Sequence, residues 1–198
     1  MQVTERSVTA QARRAQILDA TVHVIADQGY SRTSFARIAE QAALSSTRLI
    51  SYHFAGKDEL ISAVVQHVVG RIGDFVGQRV WAETTAAAKL QAYIESVVAF
   101  TRDHRAEMRA LLQIVLAGAL PDGTGADEPV PGHLEAILRQ GQTNGEFRAF
   151  DPAVMAMTIQ RAVEGLPFAL ESDPDLDCDH VAHELVTVFD LATRRTDR

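Results

Sequence analysis

Cysteine is almost missing from this 198-residue chain. Cys178 stands alone, so no internal disulfide can form, and a reducing compartment is the expectation. Proline is scarce, at six residues, and the hydrophobic fraction is 46%, which excludes a disordered chain and fits a globular, mostly helical one. No apolar run approaches the ~18 residues of a membrane span. The N-terminal MQVTERSVTAQARR has no signal-peptide core. A soluble cytoplasmic protein without membrane contact is therefore expected. A phosphate-binding glycine loop, a nucleophile elbow and a His-Glu-x-x-His pair are all lacking, so neither catalysis nor a cofactor is expected. Strand-like alternation, internal repeats and low-complexity tracts are lacking as well. The fold class is all-α.

Net charge is −7, the wrong sign for a nucleic-acid binder until it is divided along the chain. Residues 1–57 carry seven basic and four acidic side chains, net +3; the remainder carries twelve and twenty-two, net −10. A phosphate feels the local field, because charges beyond ~8 Å are screened at physiological salt. DNA binding is thus permitted at the N-terminal end and disfavoured elsewhere.

Helical periodicity divides the chain further. Thr9 can cap a first helix whose apolar face is Ile17, Leu18, Val22, Val24, Ile25 and Ala26, closed by Gly29. Thr33 or Ser34 opens a second helix packed through Phe35, Ile38, Ala39 and Ala42. A turn through Ala43 and Leu44 leads to Ser45 or Ser46, either able to cap a third helix ending near His53–Phe54. A long helix from Lys57 to about Trp81 follows, with Asp58 and Glu59 at its positive end. Gly70, Gly73 and Gly77 within it each cost ~1 kcal/mol against alanine, which implies close packing or a bend. Further helices are expected at about 84–103, 105–119, 132–143, 152–171 and 178–194, with a kink near Leu166 where Gly165 and Pro167 interrupt the pattern. The stretch PDGTGADEPVPG, residues 121–132, reads as a loop and the best candidate for disorder.

The segment from Thr33 to Leu60 has the shape of a helix-turn-helix, whose second helix enters the major groove with its N-terminal residues on base edges. Those residues are Ser45, Ser46, Thr47 and Arg48, with Ser51, Tyr52 and His53 one turn on. Leu49, Ile50 and Phe54 would hold that helix to its neighbours. Arg48 is its one guanidinium, suited to guanine O6 and N7. The hydroxyls and Tyr52 suit phosphate or single base contacts, and Thr33, Ser34, Arg37 and Lys57 lie at or beside helix N-termini that favour phosphate. Arg6, Arg13 and Arg14 are further candidates for the DNA backbone.

In IAEQAALSS…ISYHFAGKDEL the chain resembles the tetracycline-repressor family of one-component regulators, over roughly residues 10–65. Ala43 stands at the family's usual turn glycine, which would put a non-glycine residue at positive φ. One residue more than the commonest spacing separates Ala42 from Phe54, and Ser51 replaces the usual first tyrosine. The resemblance implies a DNA-binding domain over residues 1–56 and a ligand-binding and dimerisation domain over residues 57–198. It implies a homodimer formed through the helices at about 152–171 and 178–194, binding double-stranded DNA and released by a small-molecule effector. The function expected is therefore ligand-responsive transcriptional regulation, most often repression.

Candidate effector contacts are Phe100, His104, Met108, Gln113, Met157, Arg161, Glu164 and Phe168, apolar or polar groups near apolar helix faces. Core packing or plain solvent exposure are the competing readings of these positions. Cys178, His180, His183 and Glu184 offer metal-ligand chemistry on one helical turn, but Asp175, Asp177 and Asp179 equally describe an acidic helix start, and no metal site is expected.

Overall fold

The computed structural model describes residues 2–120 and 129–195, with side chains over residues 10–120 and 133–195. Among these residues the backbone is helical, and one isolated antiparallel bridge, Phe147 to Arg194, is the sole extended pairing. The helices are α1 (Gln2–Gln28), α2 (Phe35–Gln41), α3 (Arg48–His53), α4 (Lys57–Val80), α5 (Ala86–Asp103), α6 (Arg105–Leu116), α7 (Pro129–Thr143), α8 (Pro152–Glu164), α9 (Leu166–Ser172) and α10 (Cys178–Thr193).

Most boundaries have a visible cause. Gly29 ends α1 at φ 84, a conformation that glycine takes without steric penalty, and a short 3₁₀ turn over Tyr30–Arg32 follows. Ser34 caps α2, Thr85 caps α5, and Asp177 caps α10 by accepting from His180 N. Asp151 caps α8 through Ala153 N and Val154 N, with Pro152 preorganised in the first turn. The helical pattern over 152–171 breaks at Gly165, which separates α8 from α9. α1 starts at Gln2 rather than after Thr9, since no glycine or proline interrupts the residues between. The loop expected at 121–132 lies outside the described residues up to 128, and α7 already begins at Pro129.

The chain divides into two compact units: residues 2–69 with 106–120, and residues 70–105 with 129–195. The first packs α1 against α2 and buries Ile17, Val24, Ile25, Ile38, Ile50 and Phe54, together with Leu60, Val64 and Val68 from α4 and Ala110 and Ile114 from α6. In the second, α5 packs against α7 and α10, and α7 against α8. Its core is Val76, Val80, Leu90, Tyr93, Ile94, Leu134, Leu138, Phe147, Ile159, Val163 and Phe189. A smaller cluster joins Val98, Leu166, Leu170 and Cys178. Burial pushes the Tyr93 phenol up to about 12, with Glu164 adding to the shift, so the ring stays neutral in the core.

α4 contributes to both units and changes allegiance at Val69–Gly70. Contrary to the expectation from the sequence, it is long and apolar enough to span a membrane by length and composition, with a mean hydropathy of 1.2 over 18 residues. That apolarity is used in the interior, where Leu60, Ile61, Val64, Val65, Val68, Val76 and Val80 are all buried. Among the described residues its glycines meet no closely packed neighbour. A Cβ at Gly70 or Gly73 would meet nothing within 4 Å, and at Gly77 only the Trp81 ring at 3.8 Å.

A candidate DNA-reading surface

The turn between α2 and α3 is a Schellman closure. Leu44 N donates to Ala39 O at 2.8 Å and Ala43 N to Glu40 O at 3.0 Å. Ala43 occupies the left-handed position at φ 49, the conformation expected from its place in the turn and one that costs an L-residue ~1–2 kcal/mol. Ser45 to Thr47 remain in this turn instead of opening α3, which is therefore only six residues long and begins at Arg48. Ser46 Oγ accepts from Arg48 N at 3.1 Å, serving as expected one of the first-turn N–H groups that have no partner within the helix.

α3 has two distinct sides. Ile50 and Phe54 are at 0% and 1% exposure, pinning one side to the unit, whereas Arg48, Ser51 and Tyr52 are exposed on the other. Tyr52 reaches 81% and stands edge-on to the His53 ring at 5.1 Å. Ser45, Ser46 and Thr47 are exposed beside them. Ser51 Oγ lies 3.5 Å from Thr47 O, so its hydroxyl is held only loosely.

The phosphate candidates separate. Thr33 is a correction: its side chain is buried and its hydroxyl donates to Gly29 O at 3.1 Å, closing the turn after α1 rather than facing solvent. Ser34 is exposed while its Oγ accepts from Arg37 N at 3.4 Å. Arg37 is exposed and bonded through Nη1 to Gln28 Oε1. Lys57 is half-buried, donates to Tyr30 O at 3.1 Å and lies 4.1 Å from the Tyr30 ring centre. Sequence reasoning missed this set of partners. Gln16, Gln28 and Tyr30 sit on or after an amphipathic helix and carry no spacing signal of their own. Gln16 Nε2 donates to Ala42 O at 2.8 Å and its Oε1 accepts from Arg13 Nη1 at 2.7 Å. Arg14 lies over the Phe54 ring at 4.9 Å. The Arg6 side chain is outside the described residues.

The effector candidates do not form one group. In the second unit Phe100 is buried and stacks on His104 at 4.3 Å, Phe75 stands edge-on to both, and the Arg79 guanidinium lies 3.5 Å over Phe75. Arg71 Nη2 is 3.4 Å from His104 Nδ1. Met157, Arg161, Glu164 and Phe168 instead project from the exposed side of α8 and α9, where Arg161 and Glu164 pair at 2.6 Å. Met108 and Gln113 belong to the first unit, on α6. A cavity of about 320 Å³ opens between α5 and α10 beside Glu95, Val98, Asp179 and His183, and none of the eight candidates lines it. Among the described residues no group of three or more His, Cys, Asp or Glu side chains is placed to hold a metal ion, and burial pushes the Cys178 thiol up, away from thiolate chemistry.

Comparison with known proteins agrees with this geometry. The family model for bacterial regulatory proteins of the tetR family matches residues 17–64, from the middle of α1 into α4. The HTH-type transcriptional regulator BetI of Cronobacter sakazakii is 27% identical over 191 residues, covering 87% of this chain and 91% of its own. Among solved structures, AibR in complex with isovaleryl coenzyme A and operator DNA superposes with a TM-score of 0.75 at 21% identity, over 89% of this chain and 97% of that one. FadR of Bacillus subtilis in complex with stearoyl-CoA does so at 0.77 and 19%, over 88% and 96%. The helix-turn-helix, its polar outer side and these likenesses lead to one assignment: residues 17–64 carry the helix-turn-helix of bacterial regulatory proteins of the tetR family, and the chain is a DNA-binding transcriptional regulator.

Proposed function

We propose that this regulator is a cytoplasmic homodimer that represses by occupying a near-palindromic operator and leaves it when a small molecule binds. The observation that carries the reading is α3 itself, a helix with Ile50 and Phe54 sealed and Arg48 and Tyr52 turned to solvent. Residues 1–56 serve as the DNA-binding domain and 57–198 as the effector and dimer domain. Arg48 reads a guanine; Ser45, Ser46, Thr47, Ser51, Tyr52 and His53 make single base or phosphate contacts; Ser34, Arg37 and Lys57 face the backbone. Thr33 takes a packing role.

Dimerisation is supported by what the second unit leaves uncovered. Val154 and Met157 of α8, Phe168 of α9, and Val188 and Leu191 of α10 are each about half exposed, at 53%, 56%, 49%, 53% and 55%. Large apolar side chains left open along the very helices expected to pair are the mark of an association surface. Two copies would set their reading helices about 34 Å apart, one turn of DNA. The effector centre is Phe100–His104 with Phe75, a cluster of packed rings flanked by Arg71 and Arg79. An anionic ligand with a flat or acyl portion suits it, in keeping with the coenzyme A thioesters that AibR and FadR hold. Effector binding shifts operator affinity through unequal affinity for two conformations, and no catalytic step is involved.

The test is a mobility-shift titration on duplexes covering the DNA beside the protein's own gene. A shifted complex with two protomers per site is expected. Arg48→Ala should lose ~1–3 kcal/mol and relax the preference at one guanine position in a mutated-operator panel. Absence of any sequence-dependent shift with the wild-type protein rejects the function, and an unaltered preference in the variant rejects the role of Arg48.

A further inference from the structure

We propose that Gln16 is a positioning residue for DNA reading: its amide, which also accepts from Arg13, ties the helix-turn-helix turn to α1 and so sets the direction of the reading helix from outside the motif. The inference rests on the DNA-reading function of α3 and adds a residue outside the helix-turn-helix.

Ala42 is the C-terminal cap of α2, and its carbonyl is among the acceptors that a helix end leaves without an intrahelical donor. Gln16, 26 positions earlier on α1, supplies the donor at 2.8 Å. The next residue is Ala43 at φ 49, the strained point of the turn. Without a partner from α1, water would satisfy Ala42 O equally well but would fix no direction. The same Gln16 amide accepts from Arg13 Nη1 at 2.7 Å, so the two halves of one planar group orient a turn carbonyl and a cation together. A second tie lies at the far end of α3. Arg14 covers Phe54, the residue that follows the helix, at 4.9 Å. A six-residue helix has little rigidity of its own, and α1 therefore holds it at the turn before and at the residue after. Small misplacement of a reading helix is felt in the difference between right and wrong sequences more than in the general attraction to phosphate.

The experiment uses the full-length protein and a duplex that the wild type selects from a random-sequence pool, compared with a scrambled duplex of equal length. Gln16→Met keeps the side-chain length and removes both hydrogen bonds. It is expected to lower the selected-to-scrambled affinity ratio about three- to tenfold, the range of one or two net hydrogen bonds, with scrambled-duplex affinity within twofold of wild type. Arg13→Ala should do the converse, weakening both duplexes alike and reducing the salt slope by about one phosphate. Ala43→Gly relieves the strain of the turn without replacing the tie, and separates positioning from stability. Gln16→Met in the Ala43→Gly background should regain melting temperature yet remain less selective than Ala43→Gly alone, and this pair serves if Gln16→Met by itself does not fold. Equal selectivity of Ala43→Gly with and without Gln16→Met overturns the proposal, as does an unchanged ratio in the single variant. If the wild type enriches no sequence, the DNA-reading function falls and this inference with it; if the wild type enriches a sequence and only Gln16 proves indifferent, the function stands.

Discussion

The two compact units finish their surfaces differently. In the first, the ends of its short helices are tied by polar bonds: Gln16 to Ala42, Thr33 to Gly29, Arg37 to Gln28, Lys57 to Tyr30. What it turns outward on α3 is a guanidinium, hydroxyls and a phenol. The second unit has its own apolar core, yet it leaves Val154, Met157, Phe168, Val188 and Leu191 about half in water. The α3 surface is polar and suited to a charged, hydrated polymer. The other is incomplete and suited to its own copy, where burial at ~25 cal/mol per Å² acts only on association. On the proposed function the difference separates the partners: polar, fixed geometry for discrimination, apolar area for pairing.

Removing the seal of each unit separates them most strongly. Phe54→Ala empties a site at 1% exposure and should destabilise the first unit by ~3–5 kcal/mol, abolishing operator binding. The dimer measured by sedimentation should persist, because the α8–α10 surface is untouched; loss of dimerisation would show that the units are not separable in this way. Gly141→Ala tests the converse. A Cβ there would lie 2.2 Å from the buried Phe147 ring, and overpacking of this kind costs ~1–3 kcal/mol. The segment displaced also bonds the end of α10, with Arg148 N on Thr193 O at 2.9 Å and Arg148 Nε on Ala192 O at 2.7 Å. Thermal unfolding should shift down and the dimer dissociate at higher protein concentration than wild type. An unshifted melt would mean that Phe147 is not the wedge it appears in the packing.

The same contrast explains what was legible in the amino-acid order. The reading unit is built from local signals, such as Gly29 closing α1, Ser34 capping α2, and Ile50 and Phe54 spaced to be buried while Arg48 and Tyr52 are not. Even the strain at Ala43 follows from its place in the turn. The displaced start of α3 did not follow, because Ser46 satisfies Arg48 N locally and a run of Ser45, Ser46 and Thr47 offers several equivalent caps. Thr33 read as a surface hydroxyl because a threonine beside a helix start is usually exposed; its bond to Gly29 O depends on a 3₁₀ turn that has no pattern of its own. In the second unit helix positions were readable and facing directions were not. Met157 and Phe168 are apolar at helical spacing whether they look inward to a ligand or outward to a second copy, and only packing decides.

The glycines of α4 lie where the units divide, and they sharpen the comparison dynamically. Since a Cβ at Gly73 meets no neighbour, Gly73→Ala should fit without strain and raise stability by about 0.5–1 kcal/mol through helix propensity alone. On the repressor reading, operator affinity without effector should change less than twofold, whereas the effector concentration needed for release should rise, because a stiffer helix transmits less of the change. Equal loss of both in a titration would show that the glycines serve the DNA-bound form itself.

The smallest effect concerns a single cap in the second unit and has a definite pH signature. Glu146 Oε2 accepts from Ala87 N at 3.1 Å, at the first turn of α5. Burial alone would raise this carboxyl, but the Ala87 and Ala86 N–H groups outweigh it and hold the group below the ordinary carboxylate range. A carboxylate whose folded value is depressed contributes stability that is present above its unfolded value of about 4.3 and is lost as pH falls through the folded one. Glu146→Gln should therefore lower stability by roughly 0.5–1 kcal/mol at pH 7, the range of a partly exposed charged cap, and the gap to wild type should close as pH drops below about 4. The first unit supplies the control, because the Ser34 cap on α2 carries no charge, so Ser34→Ala should cost a similar amount at either pH. Coincident stabilities of Glu146→Gln and wild type from pH 7 down to 3 would mean that Ala87 N is served equally by a neutral amide, and that the charge of Glu146 adds nothing to the start of α5.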